Sequence, residues 1–157
     1  MISISEQKVR EFLLELASKD PAPGSGSVAA LAAAMAAALV AKVCRLTVGK
    51  KEYAGVAEEI AYVRGQSEAL MAGLAILAEE DKRAFLRFVA DKYSPESLVE
   101  TAVIPSKVAN LASEVQCLAK IVAEKGNRNL FAEASLAIDL ARVAKSNALL
   151  IAKMNSQ

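Results

Sequence analysis

Acid–base chemistry in this chain must use Asp, Glu, Lys, Tyr or Cys, because its 157 residues include no histidine. Histidine-based triads and zinc sites that contain histidine are therefore excluded. Asp81 is the most informative acid, since it occupies a heptad-like position where the surrounding pattern calls for an apolar residue. A carboxylate that faces a core is costly unless it is paired or used, and burial raises its pKa. Two alternatives stay open: Asp81 caps a new helix, or the helix turns it to the surface.

A second candidate site is the loop over residues 20–26, which contains two prolines and two glycines and precedes an apolar run. Backbone amides at a helix N-terminus, together with the hydroxyls of Ser25 and Ser27, form a potential anion site. Gly24 and Gly26 allow a ligand or another backbone to come close. Ser27 is the predicted N-cap. Since the motif is neither a P-loop nor a dinucleotide fingerprint, an ordinary helix connection explains it equally well.

Two further polar clusters are weaker candidates. Lys50 and Lys51 follow the apolar run and could hold a substrate carboxylate, although a charge pair in a surface turn is usually only solvated. The turn over residues 126–129, with Glu133 in the segment that follows it, could bind a polar ligand. Its residues are also good helix caps, which is the simpler explanation.

The element that these candidates flank is the almost purely apolar segment over residues 28–41. It predicts a helix that is apolar on every face and is therefore buried in the core. The segment is too short to span a membrane, which takes roughly 20 apolar residues. The positively charged region that begins a signal peptide does not precede it, so a signal peptide is not indicated. We expect Gly49 to end this helix.

Proline, glycine and apolar periodicity divide the rest of the chain into helices. These are an amphipathic helix over 3–19, a long helix over about 54–92, a helix from Pro95 that Pro105 kinks or ends, and a last helix over about 130–155. On the first helix, Val9, Phe12, Leu13 and Leu16 share the apolar face. The last helix has an alanine face and a second face with Leu136, Leu140, Val143 and Leu150, and both are expected to be buried. The prediction is one all-α domain over 1–157, an up-and-down bundle of about five helices with a long central hairpin.

Composition restricts the possible partners. Hydrophobic residues make up 54% of the chain, and this surplus suggests that part of the surface is buried in a second subunit. A formal net charge of +1 gives no field that would attract nucleic acid or an anionic membrane. Cys44 and Cys117 lie in apolar segments without metal-ligand spacing, which indicates free buried thiols in a reducing, cytoplasmic compartment.

Four of these motifs together resemble the formimidoyltetrahydrofolate cyclodeaminase family, which includes the cyclodeaminase domain of formiminotransferase-cyclodeaminase and bacterial methenyltetrahydrofolate cyclohydrolases. Residues 21–27 are similar to its Pro-x-Pro-Gly-Gly-Gly-Ser, with Ser25 in place of the middle glycine, and residues 49–53 fit Gly-Lys-Lys-x-Tyr. Residues 81–85 fit Asp-x-x-Ala-Phe, and residues 126–129 fit Gly-Asn-x-Asn. The chain departs from the pattern where the family usually has Ser-Asp, here Ala132 and Glu133, and where it has Asn-Val, here Ile151 and Ala152.

The resemblance implies an all-helical homodimer that needs no cofactor and binds a tetrahydrofolate derivative near the subunit interface. The implied reaction is cyclodeamination of 5-formiminotetrahydrofolate to 5,10-methenyltetrahydrofolate with release of ammonia, or hydrolysis of 5,10-methenyltetrahydrofolate to 10-formyltetrahydrofolate. Asp81, packed against the glycine turn of a neighbouring subunit, is the implied acid–base residue. Residues 24–27 and Lys50 would bind the polar or glutamate end of folate. Asn127, Asn129 and Glu133 would contact the edge of the pterin ring. The implied substrate-binding residues are Gly24, Ser25, Gly26, Ser27, Lys50, Lys51, Tyr53, Asn127, Asn129 and Glu133.

Two other functions remain open from the sequence. The departures at Ala132 and Ile151 favour a non-catalytic helical homodimer that keeps the fold without the site. An acidic-cluster nucleotide pyrophosphohydrolase also uses a helical bundle, but it needs a Glu-Glu-x-x-Glu set of metal ligands. The pairs at residues 58–59 and 79–80 both lack the third acid, which argues against this class.

Overall fold

A computed structural model describes residues 3–156, which form five α-helices joined by turns and short 3-10 segments. No β-strand occurs within this range, and the all-α prediction is confirmed. The 3-10 segments are Ile4–Glu6, Lys51–Val56 and Arg128–Leu130. The helices are α1 (Val9–Leu16), α2 (Ser25–Arg45), α3 (Ala57–Ala90), α4 (Pro95–Lys125) and α5 (Phe131–Met154).

Helix α2 is the centre of the bundle and packs against α3, α4 and α5. By length and composition it could cross a membrane, but 61% of its most apolar part is buried within the fold, as in the core helix of a bundle. Its buried face is mainly alanine, which favours the helix and lets neighbouring helices approach closely. Ala30, Ala33, Ala36 and Ala37 are fully inaccessible to solvent. The prediction of a buried central helix is confirmed.

The ends of two helices refine the predicted boundaries. Helix α2 begins at Ser25 with Gly24 as its N-cap, so the prediction that Ser27 caps it is wrong. The same helix ends at Arg45, and Gly49 lies in the following turn with a φ of 90°, a conformation that favours glycine. Pro95 opens α4 as predicted, and α4 continues through Pro105 instead of ending there.

The N-terminal segment is attached to α3 largely by polar contacts. Lys82 is 3% exposed, and its ammonium donates to Oε1 of Glu15 on α1 at 2.5 Å. Gln7 donates to the other oxygen of Glu15 at 2.9 Å, and the amide of Ile4 donates to Glu79 on α3 at 2.9 Å. The hydrogen bond from Lys82 lowers the pKa of Glu15 below its usual value. These contacts hold a short α1 in place without a buried apolar residue on it.

Two predicted apolar faces are exposed in the single chain, and one of them, on α5, was expected to be buried. Segment 3–19 is a 3-10 turn followed by α1, and Val9 and Leu13 of that helix face solvent. On α5 the alanine face is buried, whereas Leu136, Val143 and Leu150 are each more than half exposed. The exposed α5 residues recur every seven positions, the spacing of a helix–helix contact seam.

Helix α2 extends this exposed apolar surface. The two helices run antiparallel, because Lys42 pairs with Glu133 at one end while Gly24 and Met154 line one cavity at the other. Val28 and Met35, also seven residues apart, are exposed on α2. We call this surface the α2–α5 face; it consists of Val28, Met35, Leu136, Val143, Leu150 and Met154.

The two cysteines differ in environment. Cys44 is buried in α2, and burial raises the pKa of its thiol to about 11, so it is inert at neutral pH. Cys117 is exposed on α4, which contradicts the prediction that both thiols are buried.

Candidate functional site

A cavity of about 230 Å³ lies at the N-terminus of α2, where the ends of α4 and α5 meet α3. Asp81 is the one charged side chain among its lining residues. One wall is apolar and includes Phe85, Ile151 and Met154. A mostly apolar cavity with a few convergent polar groups is typical of a small-molecule site. The complete lining is Pro21, Gly24, Ser25, Gly26, Asp81, Phe85, Thr101, Ile151, Met154 and Asn155.

Asp81 reaches from the C-terminal third of α3 to the first turn of α2. The hydroxyl of Ser27 donates to Oδ2 of Asp81 at 3.0 Å, and the backbone amide of Ser27 also hydrogen-bonds to this carboxylate. Gly26 lets the carboxylate approach, because a Cβ at that position would overlap its oxygens. The carboxylate thus caps a helix to which it does not belong, at the positive end of that helix dipole.

This placement decides between the alternatives left open for Asp81. Helix α3 is continuous from Ala57 to Ala90, so Asp81 does not begin a new helix. It is only partly exposed and lines the cavity, so it does not face bulk solvent. The glycine turn that it contacts belongs to the same chain, and the expectation of a neighbouring subunit's turn is therefore wrong.

The pKa of Asp81 lies above the usual value for an aspartate. Burial is the main cause, since it penalises the charged form, and the hydrogen bonds from Ser27 act in the opposite direction. The net shift favours a carboxyl group that exchanges a proton closer to neutral pH than an exposed aspartate does. Such a group is suited to general acid–base catalysis.

The polar residues predicted around the turn over residues 126–129 lie at the end of α2 that is opposite to the cavity. Asn127 is buried, and its side-chain amide donates to the carbonyl of Leu46 at 3.0 Å. The backbone amide of Asn127 donates to Thr47 Oγ1 at 2.9 Å. Tyr53 accepts a hydrogen bond from the amide of Arg128 at 3.1 Å. Asn127 and Tyr53 therefore fasten the loop after α2 to the turn between α4 and α5.

The remaining predicted residues belong to this second group. Asn129 donates its backbone amide to Asn127 Oδ1 at 3.1 Å, and Glu133 accepts from Lys42 at 3.1 Å, which lowers the pKa of Glu133. Lys50 and Lys51 are exposed. With 21 residues, α2 separates the two groups by about 30 Å at 1.5 Å per residue. One chain therefore brings Gly24, Ser25, Gly26 and Ser27 to Asp81, but not Lys50, Lys51, Tyr53, Asn127, Asn129 or Glu133.

Sequence reasoning missed Asn155 and Thr101, which complete the cavity from the ends of α5 and α4. The amide nitrogen of Asn155 donates to the carbonyl of Thr101 at 2.8 Å. In a regular helix that carbonyl would bond to the amide of residue 105, but Pro105 has no N–H. The proline was thus a usable signal for a partner to this carbonyl. Nothing in the sequence showed that the partner comes from α5.

The residues that the structure describes contain no group of three or more His, Cys, Asp or Glu side chains placed to hold a metal ion. Asp81 lines the cavity and can transfer a proton there, while the hydroxyl of Ser27 in the first turn of α2 donates a hydrogen bond to it.

Comparison with known proteins identifies relatives across nearly the whole chain. A family model described as formiminotransferase-cyclodeaminase matches residues 8–157. A methenyltetrahydrofolate cyclohydrolase of Methylorubrum extorquens is 34% identical, over 96% of this chain and 80% of its own length. A formimidoyltransferase-cyclodeaminase of Rattus norvegicus is 27% identical over 86% of this chain, which corresponds to 28% of the rat protein.

A solved structure has the same fold. The crystal structure of formiminotetrahydrofolate cyclodeaminase from Thermotoga maritima superposes with a TM-score of 0.92. The match covers 98% of this chain and 80% of that one, at 27% sequence identity. The helical bundle, the family match and these relatives agree, and the chain belongs to the formiminotransferase-cyclodeaminase family.

Proposed function

We propose that this protein is an enzyme of folate one-carbon metabolism that hydrolyses 5,10-methenyltetrahydrofolate to 10-formyltetrahydrofolate at the Asp81 cavity. The observation that carries the proposal is the partly buried carboxylate of Asp81, held against the Gly26–Ser27 turn inside a cavity with an apolar wall. The relative named a methenyltetrahydrofolate cyclohydrolase, 34% identical over 80% of its length, favours this reaction.

The reaction requires proton transfers that one carboxyl group can carry out. Water adds to the methenyl carbon, and Asp81 in its ionised form takes a proton from that water. Asp81 then gives this proton to N5 as the bond between the carbon and N5 breaks, and the hydroxyl group on that carbon loses its own proton to solvent and becomes the C=O of the formyl group on N10. Overall, one water is consumed and one proton is released. The raised pKa of Asp81 leaves its protonated form more populated near neutral pH than that of an ordinary aspartate, and this form can donate a proton to N5.

Cyclodeamination is the second candidate, and the match to the Thermotoga maritima cyclodeaminase favours it. Here N10 of 5-formiminotetrahydrofolate attacks the formimino carbon, the ring closes to the methenyl form and ammonia leaves. Asp81 would take the proton from N10 and return it to the departing amine. Both reactions place the same carbon beside the same carboxyl group.

The cavity is too small for a whole folate. Its volume of about 230 Å³ is below the ~300–1,000 Å³ of typical ligand pockets, so it accommodates the reduced pterin end of the substrate. The aminobenzoyl and glutamate parts then lie outside it. Polar residues beyond the cavity are needed to bind them, and the second group of predicted residues is suited to this by composition.

We propose that a homodimer supplies that second group. Two copies that associate through the α2–α5 face about a twofold axis perpendicular to α2 place their α2 helices antiparallel. The far end of α2 from one copy, with Lys50, Asn129 and Glu133, then lies beside the cavity of the other. The exposed heptad spacing on α5 supports this contact, because an apolar seam of that kind is normally covered by another helix.

Val143→Glu tests the dimer. Val143 is 55% exposed at the middle of the α2–α5 face, where a charge would be buried unpaired on association. We expect the wild type to have twice the mass of the 16.5 kDa chain in light scattering, and the variant to have the mass of one chain. Folate turnover should fall with the dimer.

Ile76→Glu is the matched control, since Ile76 is a similarly exposed apolar residue on α3, outside this face. It should leave both mass and turnover unchanged. A Val143→Glu monomer with full activity would contradict the shared site, and a monomeric wild type would contradict the dimer.

The activity is tested by offering each substrate and following the absorbance of the methenyl group against an enzyme-free blank. Hydrolysis of 5,10-methenyltetrahydrofolate lowers the absorbance, whereas cyclodeamination of 5-formiminotetrahydrofolate raises it and releases ammonia. We expect faster change than the blank with at least one substrate. No change with either one, together with no tetrahydrofolate binding, would favour the non-catalytic bundle.

A further inference from the structure

The side chain of Asn155 is held in one orientation at the wall of the cavity. It is the C-cap residue of α5, and its Nδ2 donates to the carbonyl of Thr101 on α4 at 2.8 Å. That carbonyl is available because Pro105 cannot donate to it within α4. Since Nδ2 is the donor and Oδ1 an acceptor, this bond fixes which atom of the amide is left over.

The free atom is the amide oxygen. Among residues 3–156, no hydrogen bond to Oδ1 of Asn155 is found, although the residue is partly buried and lines the cavity. An acceptor of this kind in a ligand cavity is matched by an N–H group on the ligand.

We propose that Oδ1 of Asn155 accepts a hydrogen bond from the 2-amino group on the 2-amino-4-oxopyrimidine edge of a reduced pterin, and so selects that ring system. The inference rests on the proposed folate chemistry and deepens it by naming a specificity-determining residue. The reacting nitrogens N5 and N10 must face Asp81. The ring donors on the other side of the bicycle, N3–H and the 2-amino group, are then the ones available to Asn155.

The rest of the lining is consistent with this orientation. Phe85 lies one helical turn after Asp81 and presents an aromatic ring on which a flat heterocycle can pack. A carboxylate would be a stronger acceptor than the Asn155 amide. A second negative charge near Asp81, however, would raise the pKa of Asp81 further and leave its base form less populated. A neutral acceptor avoids that cost.

The test compares two ligands on two proteins by calorimetry. The ligands are tetrahydrofolate and its analogue without the 2-amino group, under anaerobic conditions. We expect the wild type to bind tetrahydrofolate about tenfold more tightly than the analogue, as one buried hydrogen bond allows. Asn155→Ala should bind both ligands with nearly equal affinity. Because the readout is a ratio on one folded protein, a general loss of stability does not alter it.

Ser156→Ala is the control, since Ser156 is the exposed neighbour and its hydroxyl donates to the carbonyl of Ala152. It should keep the tenfold preference. A preference that survives in Asn155→Ala, or a wild type that binds both ligands equally, would overturn the role of Asn155 while leaving folate binding in place. A wild type that binds neither ligand would instead overturn the proposed function, and the inference with it.

Discussion

Replacement of Asp81 by Asn is expected to lower kcat for the folate reaction by about a thousandfold, within the range measured for loss of a general acid–base group. Asn keeps the shape of the side chain and can still accept from Ser27, so the first turn of α2 stays capped. It cannot take up or release a proton. KM should therefore change by less than about fivefold, because the loss falls on the transition state.

The pH dependence gives a second readout of the same residue. If Asp81 acts as a base, kcat/KM falls as the pH drops through its pKa, and this limb lies at higher pH than for an ordinary aspartate because burial raises the pKa. The limb should be absent in Asp81→Asn. The free energy of unfolding changes with pH in the opposite direction. Because the pKa is raised, protonation of Asp81 stabilises the folded state, and this stabilisation is lost as the pH rises through the pKa. Asp81→Asn should therefore gain stability relative to the wild type at neutral pH.

Asp91→Asn is the matched control, since Asp91 is an exposed carboxylate at the C-terminal end of α3 and is not among the residues that line the cavity. It should leave kcat and the pH profile unchanged. Should Asp81→Asn retain more than about a tenth of the wild-type kcat, less than the 10²-fold minimum for this group, the carboxylate would be a structural cap only.

Gly26→Ala is expected to lower kcat strongly, although it replaces no titratable residue. A Cβ at this position would overlap the Asp81 carboxylate, and the backbone of α2 cannot retreat because it is packed on alanine. The carboxylate must therefore leave Ser27 and reorient. We expect a loss of kcat similar to that in Asp81→Asn, together with a loss of about 1–3 kcal/mol in the free energy of unfolding from overpacking.

Gly65→Ala serves as the comparison, because a Cβ there meets no atom within 4 Å and the residue lies within α3. It should raise stability by up to about 1 kcal/mol through helix propensity and leave kcat unchanged. Urea unfolding and steady-state kinetics on the two variants separate the effects. Normal turnover in Gly26→Ala would show that the contact between Asp81 and the glycine turn is dispensable.

The fold was largely predictable because its strongest signals are local. The apolar segment within α2 has no polar residue on any face, and a helix of this kind is buried. Pro95 and Gly126 mark helix ends through their own backbone chemistry. The exposed α5 face was mispredicted for the opposite reason. Periodicity shows that Val143 and Leu150 share a face, but not whether this chain or another one covers it.

The site was predictable only in part. Asp81 stood out because a carboxylate interrupted an apolar pattern, and the glycine loop because of its composition. The contact between Asp81 and the glycine loop depends on the packing of α3 against α2, which the sequence does not show. The family motif joined both ends of α2 into one expected site, whereas a single chain holds them a helix length apart. No sequence pattern pointed to Asn155, because its role depends on a carbonyl of α4 that Pro105 leaves without a partner within that helix.

The alanine surface of α2 has a consequence for the precision of the site. Alanine has no side-chain torsion to vary, so the distance between the axes of α2 and α3 is limited by direct contact of methyl groups and backbone. Ser27 lies on α2 and Asp81 on α3, so the distance between their side chains is restricted in the same way. We therefore expect the distance between this donor and acceptor to vary less than it would on two loops, so that the carboxyl group is already oriented before a substrate binds.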